Sequence, residues 1–177
     1  INTSIGTDLF FRKGYTLLGW NTRADGSGQA VGLGSRIAWK AGLVLYAQWI
    51  PWTGEADFVY KKVSGFAVIT GYSGKAQQIC IPPSLGGLPV RTIRENAFTD
   101  TDCKTVILSP GIYEIEKWAF RNSHLEQLYL YDDLEKISDY AFQDCDMLHT
   151  LHINAIEAPA YSGNYFDTFQ DKYDRLL

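Results

Sequence analysis

Apolar positions recur along the second half of the chain in one short phrase. Ala76-x-x-Ile79-x-Ile81, Cys103-x-x-Val106-x-Leu108, Leu125-x-x-Leu128-x-Leu130 and Leu148-x-x-Leu151-x-Ile153 all follow L-x-x-L-x-L. A second line follows each of the first three copies: Ile93, Ile115 and Ile137, then four residues on Ala97, Ala119 and Ala141, each directly before Phe98, Phe120 or Phe142. The phenylalanines are spaced 22 and again 22 residues apart. A fixed period in the range of about 20–29 residues marks coils stacked on their neighbours. Each L-x-x-L-x-L is predicted to be a strand. Alternation then turns the pairs Val106/Leu108, Leu128/Leu130 and Leu151/Ile153 into the coil and the residue between each pair outward. The small Ala lets the backbone turn closely while the next Phe fills the interior. The third Phe-to-strand gap is one residue longer than the first two (Phe142 to Leu151, against Phe98 to Val106 and Phe120 to Leu128). After Ile153 the pattern fades, with Phe166 or Phe169 as core ring of a degenerate unit.

Upstream the pattern differs. FVYKKV and FAVIT flank Ser64-Gly65 and predict a hairpin over 58–75 that caps the first coil of a repeat region over 76–177. Pro51 to Asp57 reads as a joint, because no apolar period crosses it. Residues 1–50 hold eight glycines and no Ala-Phe phrase, and their β-type runs at 10–20 and 42–49 predict a small β-domain. The expected fold class is therefore β-rich in two parts, a small β-domain and a short solenoid with a parallel sheet.

The segment GYSGKAQQICIPPSLGGLPVRTIRENAF (71–98) and the later I-x-x-x-A-F phrases resemble the BspA-type leucine-rich repeats of bacterial and protozoan surface proteins, over residues 58–177. Lys13-Gly14-Tyr15-Thr16, Gly19-Trp20, NTRADGSG and LYAQW are together similar to the Listeria–Bacteroides (internalin B-type) repeat, over roughly residues 10–49. That resemblance implies a compact, partial β-grasp-like domain used as a spacer or attachment module. Its opening strand and Asn-Gly-Gly turn are missing from Ile1–Leu9, so this copy is expected to be truncated. The BspA-type resemblance implies adhesion, with host matrix proteins or glycoproteins, or other cells, as partner classes, and an extracellular or cell-surface location.

Composition narrows the function classes. A 46% hydrophobic chain is not disordered by composition. With net charge −4 and no run of five like charges, neither a nucleic-acid patch nor a polybasic membrane anchor is indicated, and no apolar run approaches the ~18 residues of a membrane span. The chain begins at Ile1 and stops without a clear polar cap, and the natural protein is expected to extend further. Cys80, Cys103 and Cys145 are odd in number and lack C-x-x-C spacing, so free thiols are expected. Cys103 fills a leucine slot, whereas Cys80 is expected to face outward, with nothing nearby to lower its pKa.

Candidate chemistry is sparse. His149 and His152 are three apart on or beside a strand, which puts them on opposite faces and makes a poor metal pair. No G-x-S-x-G elbow accompanies the histidines, and Gly32-Leu33-Gly34 lacks the Lys of a phosphate loop. The acidic pairs Asp100/Asp102, Glu114/Glu116, Asp132/Asp133 and Asp144/Asp146 fall at predicted turns and lack calcium-loop spacing. Neither catalysis, a cofactor nor a metal is expected. The outward columns offer more. Cys80, Ile107, Tyr129 and His152 form the middle one, flanked by Gln78, Thr105, Gln127 and Thr150 and by Pro82, Ser109, Tyr131 and Asn154, all uncharged with His neutral. An uncharged aromatic sheet face suits a contact surface, although strands favour Tyr, Ile and Thr in any case. The expected ligand-binding residues are Thr105, Ile107, Gln127, Tyr129, Tyr131 and His152. A second reading treats the repeats as a non-catalytic spacer or accessory domain of a larger secreted enzyme.

Overall fold

The β-type runs of the first fifty residues fold as antiparallel pairs in a computed structural model that describes residues 2–4, 10–33, 35–38, 40–131 and 133–154. The strands here are β1 (Asn2–Ser4), β2 (Tyr15–Asn21), β3 (Ala30–Gly32), β4 (Arg36–Ala38) and β5 (Tyr46–Pro51). β2 lies between β3 and β5, and β1 pairs with β4. The β2–β5 register slips between Leu17 and Gly19, and a β-carbon at Gly19 would sit 2.8 Å from the Val31 carbonyl oxygen, so only glycine fits that bulge. β1 corrects the expectation that Ile1–Leu9 supply no strand. Asn-Thr-Ser has no apolar alternation to announce it, because a three-residue ladder needs only backbone groups.

The joint is structured rather than loose. Pro51 still belongs to β5, and Glu55–Asp57 form a 3-10 turn. Then come β6 (Phe58–Val63), β7 (Phe66–Tyr72), β8 (Gln78–Cys80), β9 (Ser84–Leu85), β10 (Leu88–Ile93), β11 (Thr105–Ile107), β12 (Glu114–Ile115), β13 (Gln127–Tyr131), β14 (Lys136–Ile137) and β15 (Thr150–Asn154). Ser64 and Gly65 both have positive φ (50° and 86°), the conformation a two-residue hairpin turn requires, and so do Gly86 and Gly87 between β9 and β10 (58° and 72°).

Two parallel sheets wind from these strands. The first runs β8-β11-β13-β15, with Ile79, Val106, Leu128 and Leu151 in register. The second runs β7-β10-β12-β14, with Ile69, Ile93, Ile115 and Ile137 in register. The predicted capping hairpin therefore does more than cover the end: β7 is the first strand of the second sheet, with β6 antiparallel on its edge. The fold is a β-solenoid with a parallel sheet, as the period predicts.

Its interior is a column of rings. Phe98 stacks on Phe120 and Phe120 on Phe142, with centroids 4.9 and 5.2 Å apart and planes within 9° and 12° of parallel. Tyr72 continues the column 5.6 Å from Phe98, and Phe58 stands 5.5 Å from Tyr72. The turn beside each Phe is left-handed on both sides. Asn96, Trp118 and Tyr140 precede the Ala-Phe pairs at φ near +60°, and Asp100, Asn122 and Asp144 follow them likewise. This frees the Phe98 N–H to bond the Ala119 carbonyl (2.7 Å) and the Phe120 N–H to bond that of Ala141 (2.9 Å), lashing each coil to the next. Ile153, expected inside, is 42% exposed on the last described rung.

Phe120 is fully buried between two rings. Phe120→Ala is expected to cost about 3–5 kcal/mol, read as a lower urea midpoint. An unchanged midpoint would show that the column does not hold the coils together.

Candidate binding face on the first parallel sheet

The outward side of the first sheet is the surface that the sequence nominates, and its rungs are not equally open. In the first column Gln78 is exposed while Thr105, Gln127 and Thr150 are half-buried. In the middle column Cys80 and Ile107 are closed off, at 1% and 0% exposed, and Tyr129 and His152 are half-buried. In the third column Ser109 is 1% and Tyr131 7% exposed.

The cover is the N-terminal β-module. Leu17, Trp20, Leu33 and Ile50 share one apolar cluster with Cys80, Ile107 and Tyr131. The Tyr131 hydroxyl donates to the Leu17 carbonyl (3.1 Å), a bond linking residues 114 apart in sequence. Trp52 ties the joint back to the module, its indole N–H donating to Thr16 Oγ1 (3.0 Å) and its backbone N–H to the Gly14 carbonyl (2.9 Å). Thr53 then meets the first rung from both directions: its N–H bonds the Cys80 carbonyl and its Oγ1 accepts the Cys80 N–H, each at 2.9 Å. Groups on the edge strand β8 that would otherwise stand unpaired are satisfied there.

Of the six residues expected to contact a ligand, Ile107 and Tyr131 are thus occupied in holding the module. Cys80, expected to face outward, is buried as well, and desolvation pushes its thiol up to about 11. Periodicity inside the repeats carries no information about what packs on their outer face.

Tyr129, His152, Gln127 and Thr105 remain together on the open part. The Tyr129 and His152 rings stack at 3.9 Å between centroids and 12° from parallel, and His152 Nε2 shares a hydrogen bond with Gln127 Oε1 at 3.3 Å. Their register explains this, since Gln127 pairs with Thr150 and Tyr129 with His152 on adjacent strands. Partial burial lowers the His152 pKa from its ordinary value and raises that of the Tyr129 phenol. Both shifts favour the uncharged forms, so the patch is uncharged at neutral pH. His149 shares a hydrogen bond with Thr150 Oγ1 at 2.8 Å.

Most acidic side chains on the coils serve as ties between them. Glu116 pairs with Arg94 (3.5 Å), Glu126 with Lys104 (2.9 Å) and Glu114 with Lys136. Glu114 lies in β12 rather than at the turn predicted for it. Asp102 meets His124 at 3.0 Å, and Asp133 accepts the Gly111 N–H at 2.9 Å. Asp132, Phe166 and Phe169 lie outside the described residues. Among the described residues no group of three or more His, Cys, Asp or Glu is placed to hold a metal, and no helix is long and apolar enough to cross a membrane.

A family model described as BspA type leucine rich repeat region (6 copies) matches residues 73–168, more than half of the chain. The chain belongs to this BspA-type leucine-rich repeat family. Among solved structures, a leucine-rich repeat protein of T. pallidum is similar over 58% of this chain and 72% of its own, with 19% identity and a TM-score of 0.40. No curated protein sequence matches. BspA-type repeats point to protein–protein interaction as the general role.

The buried thiols generate a pH prediction. Cys80 ionises near 9.0 when free and near 11 when folded, so its contribution to stability is complete below about pH 9 and is lost as pH rises towards 11. The urea midpoint is expected to fall across that window, and to fall less in Cys80→Ala. Equal slopes for the two proteins would show that the thiol is not shielded.

Proposed function

We propose that this chain is a protein-binding part of a secreted or cell-surface bacterial protein, working in adhesion to host matrix proteins or other cells and not in catalysis. The observation that carries this is the half-exposed Tyr129–His152 stack, braced by Gln127, on an uncharged patch beside the edge of the docked module. Two stacked rings held in place offer area for a partner with little further loss of side-chain freedom. Thr105 and Gln127 supply hydrogen-bonding groups next to them, and Ile107 and Tyr131 act indirectly by fixing the module that frames the patch. The domain arrangement in this reading is a module over 1–50, a joint over 51–57 and the repeats from 58 onward.

One observation favours the second reading, a spacer or accessory part of a larger secreted enzyme. The module covers much of the sheet face, as expected where rigidity rather than contact is required. A single experiment separates the two. Tyr129→Ala and His152→Ala, made together and checked for unchanged thermal unfolding, are expected to weaken attachment to immobilised fibronectin and collagen by about tenfold or more. Undiminished attachment, or none by the unaltered protein, would favour the spacer.

A further inference from the structure

A second surface, distinct from the first sheet, is marked by its backbone. Asn96, Trp118 and Tyr140 occupy equivalent places on successive coils at φ 61°, 59° and 60°. Asn tolerates this left-handed conformation, whereas for bulky side chains it is a rarity. The interior does not call for large rings there, since the neighbouring phenylalanines fill it, and Tyr140 is 40% exposed. Strained positions that carry an unexpected side chain are places to look for use.

The surroundings give the surface a chemistry. The Trp118 N–H donates to the Tyr140 carbonyl (3.2 Å), so the two residues sit one rung apart, a strand spacing of about 4.8 Å. The Lys117 ammonium lies 4.1 Å from the Trp118 ring centre and 5.4 Å from that of Tyr140, with the Arg121 guanidinium 5.7 Å from Trp118. Towards the start of the solenoid the same column reaches Asn96, which with Lys61, Thr70, Arg94 and Glu95 lines an open groove of about 380 Å³. Several cations on the coils pair with a carboxylate 22 or 23 residues away: Arg94 in this groove with Glu116, Arg121 beside Trp118 with Asp144, and likewise Lys104–Glu126 and Glu114–Lys136. Lys117 has Asp139 at that distance in sequence yet turns to the rings, and neither it nor Lys61 has an ion-pair partner among the described residues.

We propose that this track binds a linear acidic glycan. The C–H faces of consecutive sugars lie against Trp118 and Tyr140, whose ring faces carry partial negative charge, and uronate carboxylates meet Lys117 and Lys61. Flat rings repeating at the rung spacing fit a chain of flat sugar units better than an acidic peptide, which would use the cations and leave the rings idle.

The test is calorimetric titration with hyaluronan oligosaccharides, neutral chitin oligosaccharides and polyglutamate. Hyaluronan is expected to bind, more weakly as salt rises. Trp118→Asn and Tyr140→Asn, which install the residue that Asn96 already carries in the same conformation, are expected to fold normally and to weaken binding by about tenfold each. Lys117→Gln is expected to remove the preference for hyaluronan over chitin oligosaccharides. The Tyr129→Ala, His152→Ala protein should bind hyaluronan undiminished, so loss of either activity leaves the other interpretable. Failure of hyaluronan to bind, full binding by the folded Asn variants, or binding of polyglutamate alone would overturn the proposal, the last in favour of an acidic protein partner.

Discussion

The contact on which the rest depends is ring against ring along the solenoid axis. Phe98, Phe120 and Phe142 lie nearly parallel at about the spacing that backbone pairing imposes on neighbouring strands. One side chain per coil thus satisfies the packing of the interior and the register of both sheets together. Slipping a strand by one residue would turn its Ile outward, so the register is strongly specified. The left-handed turns at either side of each Phe are the local price of bringing backbone donors onto the neighbouring coil. Tyr72 and Phe58 carry the column into the hairpin before the first repeat, which is why that hairpin merges with the second sheet instead of lying across its end.

On this scaffold the N-terminal module is a fixed companion. Burial of Ile107 and Tyr131 in one apolar cluster with Leu17 and Ile50, and the Tyr131–Leu17 hydrogen bond, join two parts that composition alone would separate. The face that is left open is smaller than the sheet and lies towards its later coils. Its chemistry is set by neutral rings and amides, with His152 kept uncharged by partial burial. The opposite character appears at the Trp118 and Tyr140 turns, where the Lys117 ammonium lies against a half-buried Trp118 and an exposed Tyr140.

Much of this was legible in the sequence, and what was not has physical reasons. Val106, Leu128 and Leu151 were assigned to adjacent rungs because strand alternation and a period of 22 or 23 residues leave little choice, and they occupy them. Ala97 and Phe98 announced the interior, but nothing in the letters announced that Asn96, Trp118 and Tyr140 would take positive φ, since Trp and Tyr are not residues one assigns to that region. Alternation puts Cys80 and Ile107 in the outward column, and both are buried in one apolar cluster with residues far away in the chain. Such docking rests on shape and apolar area, which have no period, and so the covered and open parts of the face could be separated only in three dimensions.

Thr53 gives the assembly a direction. By engaging both backbone groups of Cys80 it occupies part of the first sheet's edge where the stack begins. Coils spliced in between existing ones or added beyond the last leave this contact undisturbed, whereas a coil placed ahead of the first would displace it. Length in such an array is therefore adjustable without disturbing the module, and every inserted coil carries its outer face farther from a foundation that stays the same.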